Sequence, residues 1–138
     1  DVLKGLFPFI LLNLYSENIG LLQTIFLCHF SILGHIFPIW LKFKGGKGVA
    51  TYIGFLFGIN LVLGLCFLIT WLAIALVFKY SSLSSLIAST IAPIYFIVKD
   101  DNYIAIFLIY LLAVIVIKHH ENIKRLLNGT ENKIKLSK

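Results

Sequence analysis

From Val49 to Phe78 the chain runs thirty residues without a charged side chain. A helix that crosses a bilayer takes about 17–25 apolar residues, so this run is too long for one ordinary span and short for two. Asn60 carries the only amide in the run, and Gly58-Ile59-Asn60 is its natural break. The reading is a short helix to about Phe57, partial as a span, and a second from Leu61 to Phe78; a single tilted helix is the alternative. The rest of the chain agrees. Of 138 residues, 59% are hydrophobic and 13% charged, with a mean hydropathy of +0.96. A water-soluble fold of this length cannot hide that much apolar surface. The expected class is an all-α, polytopic integral membrane helix bundle.

Gly5 to Tyr15 is an apolar stretch too short to cross alone, followed by the polar turn Ser16-Glu17-Asn18. Ile19 to Trp40 is a full-length span, interrupted near its end by Gly34-His35 and Pro38. Lys79-Tyr80-Ser81-Ser82-Leu83-Ser84-Ser85 forms a loop and helix start, and Leu86 to Val98 continues with a bend expected at Pro93. Lys99-Asp100-Asp101-Asn102 is a polar turn, Tyr103 to Ile117 the last span, and 118–138 a polar, basic tail. These are six apolar segments of one membrane domain. Methionine is absent and Asp1 opens directly into an apolar run, so the chain is expected to be a fragment of a longer one.

Charge orients the segments. With the tail cytoplasmic, Lys4, Lys42, Lys44, Lys47, Lys79, Lys118, Lys124, Arg125, Lys133, Lys135 and Lys138 fall inside, and only Lys99 outside. That is 11 of the 12 basic residues, as the positive-inside rule asks. The net charge of +6 therefore sits at helix ends rather than in a stripe that would read nucleic acid. An anionic small molecule or lipid head group is the expected partner. Cys28 and Cys66 lie in apolar stretches and read as packed thiols. His29, His35, His119 and His120 have no metal-ligand spacing, and no metal or cofactor is expected.

Two polar stretches can carry chemistry. In Lys42–Gly48, three lysines and three glycines share seven residues, with Gly34-His35 ahead and Val49-Ala50-Thr51 behind. Glycines that let N–H groups converge, just before a helix start, bind anions and above all phosphate. The competing account is a basic loop that only fixes orientation. The loop is no Walker motif, because Gly48 rather than Ser or Thr follows Lys47. In the tail, His119, Asn122 and Arg125 fall at i, i+3 and i+6, one sector of a helix. They offer an acid/base or orienting imidazole, an amide and a guanidinium that can grip phosphate bidentately; an amphipathic helix lying on lipid is the alternative. Gly129 reads as a C-cap. Asp1 and Lys4 read as an intrahelical ion pair, and Gly54 and Gly58 as a helix-contact pair.

With these residues laid out, the chain resembles the bacterial acyl-phosphate-dependent glycerol-3-phosphate acyltransferases. Gly34-His35-Ile36-Phe37-Pro38 with Phe43-Lys44-Gly45-Gly46-Lys47-Gly48-Val49-Ala50-Thr51 looks like that family's second signature. His119, Asn122, Ile123, Arg125, Leu126, Leu127, Gly129, Thr130, Glu131 and Lys133 look like its third. Asp1-x-x-Lys4-Gly5 and Lys79-Tyr80-x-Ser82-Leu83 resemble two further stretches. The family's first signature and first helix have no counterpart in these residues, so the resemblance implies seven spans in an intact chain. It also implies transfer of a fatty acyl group from acyl phosphate to the 1-hydroxyl of sn-glycerol 3-phosphate, giving lysophosphatidic acid and phosphate, without a metal. This would take place at the bacterial inner membrane. His119 and Asn122 would be catalytic, with the proton passing either to His119 or to a substrate phosphate oxygen. His35, Lys44, Gly45, Gly46, Lys47, Gly48, Thr51, Ser82, Arg125 and Glu131 would bind substrate. The competing classes are a small transporter of phosphorylated solutes and a non-catalytic membrane subunit.

Overall fold

A computed structural model describes residues 1–15, 19–43 and 45–135. The expected turn at Ser16-Glu17-Asn18, and Lys44, lie outside the described residues. Among those described, every regular element is helical. The chain forms two compact units, residues 1–65 and 66–138.

The first unit holds α1 (Val2–Tyr15), α2 (Leu21–Cys28), α3 (Phe30–Ile36), a 3-10 turn (Ile39–Leu41), α4 (Val49–Ile59) and the start of α5 (Leu61–Phe78). The long uncharged run does break at Asn60. Its backbone N–H closes α4 on the Leu56 carbonyl, while its side-chain oxygen takes the Val62 N–H at 2.7 Å. One residue thus ends a helix and caps the next. The Ile19–Trp40 segment departs in detail from its reading. Gly34 and His35 stay inside α3, and the helix stops at Ile36. Proline two residues on explains this, since the residue before a proline is pushed out of the helical region, and Phe37 has φ −125° and ψ 57°.

α1 and α4 run side by side because glycine lets them. A Cβ at Gly5 would overlap the Thr51 carbonyl, and one at Gly54 the Val2 carbonyl, while Gly58 takes the ring of Phe9. The Gly54–Gly58 pair is therefore a helix contact, as read. Phe9 meets Phe55 edge-on at 5.3 Å, and Tyr52, Phe55 and Leu56 are fully buried. This contact carries the first turn of α1 alongside the N-terminal half of α4.

The second unit contains the remainder of α5, then α6 (Ser81–Ala88), α7 (Ile91–Val98), α8 (Asn102–Lys118) and α9 (His120–Leu127). The helix of the fifth segment is interrupted at Ser89-Thr90 rather than at Pro93 itself. Proline has no N–H to give residue i−4, here Ser89, and its ring crowds that carbonyl. At the interruption, Ser89 Oγ donates to the Ser85 carbonyl and Thr90 Oγ1 to the Ile87 carbonyl. α7 packs on α8, burying Ala92 and Phe96 with Ala105 and Leu108 among the core side chains. Stretches Leu21–Leu41, Leu61–Phe78 and Ser81–Val98 are long and apolar enough to cross a bilayer, and α8 with α9 forms a fourth stretch bent by 64°. α1 and α4, with 14 and 11 residues, are shorter than a span. The chain is a multi-pass membrane protein.

Candidate functional site

The glycine loop is folded back onto α3. A Cβ at Gly45 would overlap the His35 carbonyl, and one at Gly46 would overlap the His35 ring at Nε2. Gly48 has φ +82°, a left-handed conformation that side-chain-bearing residues rarely adopt, and from it α4 begins. A cleft of about 200 Å³ is bounded by Lys4, Gly34, His35, Pro38, Trp40, Leu41, Gly45 and Gly46. Its polar groups come from two helices and the loop. Lys4 Nζ lies 2.8 Å from Asp1 Oδ1, and His35 Nδ1 lies 3.4 Å from the same oxygen. Lys47 is exposed and makes no ion pair among the described residues. Thr51 is fully buried in the α1–α4 contact, does not line the cleft, and its hydroxyl has no partner among the described residues. Gly46→Ala should therefore push the loop off His35 and raise the KM of a phosphorylated substrate about tenfold or more, by analogy with removing hydrogen bonds to a charged group. Steady-state kinetics that match the unaltered chain would remove this loop from substrate binding.

In the second unit the chemistry gathers on one carboxylate. α9 ends at Leu127 in a Schellman turn: Thr130 N–H returns to the Arg125 carbonyl and Gly129 N–H to the Leu126 carbonyl, with Gly129 at φ +69°. That turn sends Glu131 back beside α9. Its Oε1 accepts from Ser82 Oγ at 2.6 Å and Asn122 Nδ2 at 2.7 Å, and its Oε2 from Arg125 Nε at 2.7 Å. Burial works against ionisation of Glu131. The bonds from Ser82, Asn122 and Arg125, with the Arg125 charge, outweigh it and hold the carboxyl at about 2. Ser82 spends its one hydroxyl proton on Glu131. Arg125 spends only Nε, and its terminal amino groups have no partner among the described residues.

A carboxyl whose pKa is lowered from 4.5 to about 2 on folding stabilises the fold in full above the higher value, and that stabilisation is lost as pH falls through the lower. The melting difference between the unaltered chain and Glu131→Gln should therefore hold constant from pH 7 to about 5 and shrink between 4.5 and 2. A difference as large at pH 2 as at pH 7 would contradict the ionised hub.

His119 stands directly before α9, and its carbonyl accepts the Ile123 N–H at 2.8 Å, the first helical bond of that element. It is the bend between α8 and α9, with φ −99° and ψ 7°, and its side chain is buried. Its Nδ1–H donates to the Ile115 carbonyl at 2.8 Å, which leaves the neutral ring's lone pair on Nε2. A strap follows Glu131. Ile134 N–H donates to the Lys79 carbonyl at 2.7 Å, and Lys133 Nζ lies 5.8 Å from the centre of the Tyr80 ring. Lys79 is left-handed at φ +61°. Sequence reasoning did not find the strap, nor the link between Asp1 and His35. Neither has a periodic signal, since each joins residues far apart in the chain.

Fold and residues together define a membrane helix protein whose polar groups gather at a glycine loop and around a carboxylate engaged by an arginine. A family model described as glycerol-3-phosphate acyltransferase matches residues 1–129, and the chain belongs to that family. A glycerol-3-phosphate acyltransferase from Pelagibacter ubique (strain HTCC1062) is 57% identical over 106 residues, covering 77% of this chain and 55% of the relative. One from Francisella tularensis subsp. novicida (strain U112) is 46% identical over 136 residues, covering 97% and 65%. The chain thus spans less than two thirds of the length of these curated relatives. Among solved structures, PlsY (YgiH), an integral membrane glycerol 3-phosphate acyltransferase, matches in its glycerol 3-phosphate form. It has a TM-score of 0.85 and 33% identity, covering 97% of this chain and 67% of that one. The lysophosphatidic acid form matches equally well.

Proposed function

We propose that this chain carries its family's acyl transfer, from acyl phosphate to the 1-hydroxyl of sn-glycerol 3-phosphate, in the inner membrane of a bacterium with the motifs and C-terminus on the cytoplasmic side. The observation that carries the reading is the family match across residues 1–129. Both substrates bear a phosphate, and each unit offers one place suited to it. In residues 1–65 it is the cleft of Lys4, His35, Gly45 and Gly46. In residues 66–138 it is Arg125, whose guanidinium is held by Glu131 at Nε and keeps its terminal amino groups for a phosphate. Glu131, ionised and engaged by three donors, suits an orienting role, since a phosphate would be repelled by it. Ser82 and Asn122 are orienting residues through the same carboxylate.

In the reaction, the 1-hydroxyl oxygen forms a bond to the acyl carbonyl carbon and the bond from that carbon to the phosphate oxygen breaks. Phosphate leaves with the electron pair. The hydroxyl proton goes to a substrate phosphate oxygen, with His119, buried at the bend between α8 and α9, as an orienting group. Catalysis is then positioning and charge stabilisation. The test is labelled glycerol 3-phosphate offered to the protein in detergent micelles with acyl phosphate, and separately with acyl-CoA. Lysophosphatidic acid formed from acyl phosphate alone is the expected result. No acyl transfer, or solute flux into vesicles without it, would overturn the reading.

A further inference from the structure

Asp1 is the one carboxylate paired with groups of the glycine-loop cleft among the described residues, and it touches two elements. Lys4 lies one turn on in the same helix, whereas His35 belongs to α3. An exposed i, i+3 ion pair contributes little by itself. A carboxylate at the Nδ1 side of an imidazole does something else, because it fixes which nitrogen carries the proton and how the ring is turned. The ring matters here because the glycine loop rests on its other edge: Gly46 leaves no room for a Cβ beside His35 Nε2, and Gly45 sits against the His35 carbonyl. The place of Asp1 is itself fixed. Close backbone approach at Gly5 and Gly54 seats the first turn of α1 against α4, the helix that the glycine loop begins.

We propose that Asp1 is a positioning residue for the glycine loop: its carboxylate sets the His35 ring from α1, and the ring supports the Gly45–Gly46 backbone that forms the cleft. Lys4 shares the carboxylate and lines the cleft directly. The effect of Asp1 on the Gly45–Gly46 backbone passes through His35. The inference rests on the acyl-transfer reading for its kinetic consequence, and on geometry alone for the link itself.

The test uses the full chain, with histidine ring nitrogens labelled for NMR and with acyl-transfer kinetics measured in parallel. In Asp1→Asn the His35 Nδ1 signal should move, and kcat/KM should fall about tenfold as the carboxylate charge beside the ring is lost. Asp1→Glu should restore most of both. Asp1→Asn combined with His35→Gln should be no worse than His35→Gln alone, which a merely destabilising change would not produce. An unmoved His35 signal in Asp1→Asn, or additive losses in the double variant, would overturn the proposal. Absence of acyl transfer in the unaltered chain would overturn the functional reading instead, and the His35 signal would still decide the link between Asp1 and His35.

Discussion

Replacing Arg125 with Ala is expected to raise the KM of one phosphorylated substrate about 100-fold and leave the other nearly unchanged. The selectivity is the point. A guanidinium fixed through Nε to Glu131 presents two terminal amino groups in a rigid fork that matches a phosphate. Whichever substrate weakens is the one whose phosphate Arg125 grips. Arg125→Lys keeps the charge but not the fork, and it cannot replace the Nε bond to Glu131, so it should still lose about tenfold. The rival explanation is that Arg125→Ala merely loosens Glu131. Ser82→Ala separates the two, because it removes a different bond to the same carboxylate. If loosening were the cause, Ser82→Ala would raise the same KM with the same selectivity. Titrating each substrate against a fixed excess of the other measures all three variants. A fall in kcat with both KM values unchanged would mean that Arg125 acts only in the transition state.

What the sequence made legible follows from which forces are local. The break at Asn60 could be read because an amide in an apolar run has one good use, as a cap, and the side chain is used that way. The Schellman turn at Gly129 was readable for the same reason: left-handed backbone favours glycine. Pro93 signalled a break, but the break lies where the missing N–H and the crowded carbonyl fall, four residues earlier. The bend at His119 left no mark in the sequence, because helical periodicity assumes that the helix continues. The tail contained Glu131 among its candidates, yet nothing in the spacing revealed that Ser82, Asn122 and Arg125 would share its carboxylate. That arrangement brings Ser82 to residues forty or more positions on. Long-range pairing of this kind, like Asp1 with His35 or Lys133 with Tyr80, depends on how helices pack, and periodicity carries no information about it.

Gly54→Ala is the change expected to cost the most stability. Putting Ala for Gly inside a helix returns about 1 kcal/mol through helix propensity, while forcing a methyl into a filled contact costs about 1–3 kcal/mol and occasionally more. At Gly54 the obstacle is the Val2 carbonyl, backbone that cannot rotate aside, so the upper end of that range applies and the net loss is about 2 kcal/mol. Gly34→Ala is the control. It too lies within a helix, but a Cβ there meets nothing within 4 Å among the described residues, so only the propensity term remains and the fold should gain up to about 1 kcal/mol. Thermal melting in one detergent should move in opposite directions for the two variants. A midpoint for Gly54→Ala as high as that of the unaltered chain would remove the α1–α4 contact as the reason for glycine there. The consequence extends past stability. Asp1 and Lys4 ride on the first turn of α1, next to Val2, so a methyl that lifts this turn from α4 also draws the Asp1 carboxylate from His35. Gly54→Ala should therefore shift the His35 Nδ1 signal in the same sense as Asp1→Asn, although residue 54 touches neither the ring nor the cleft.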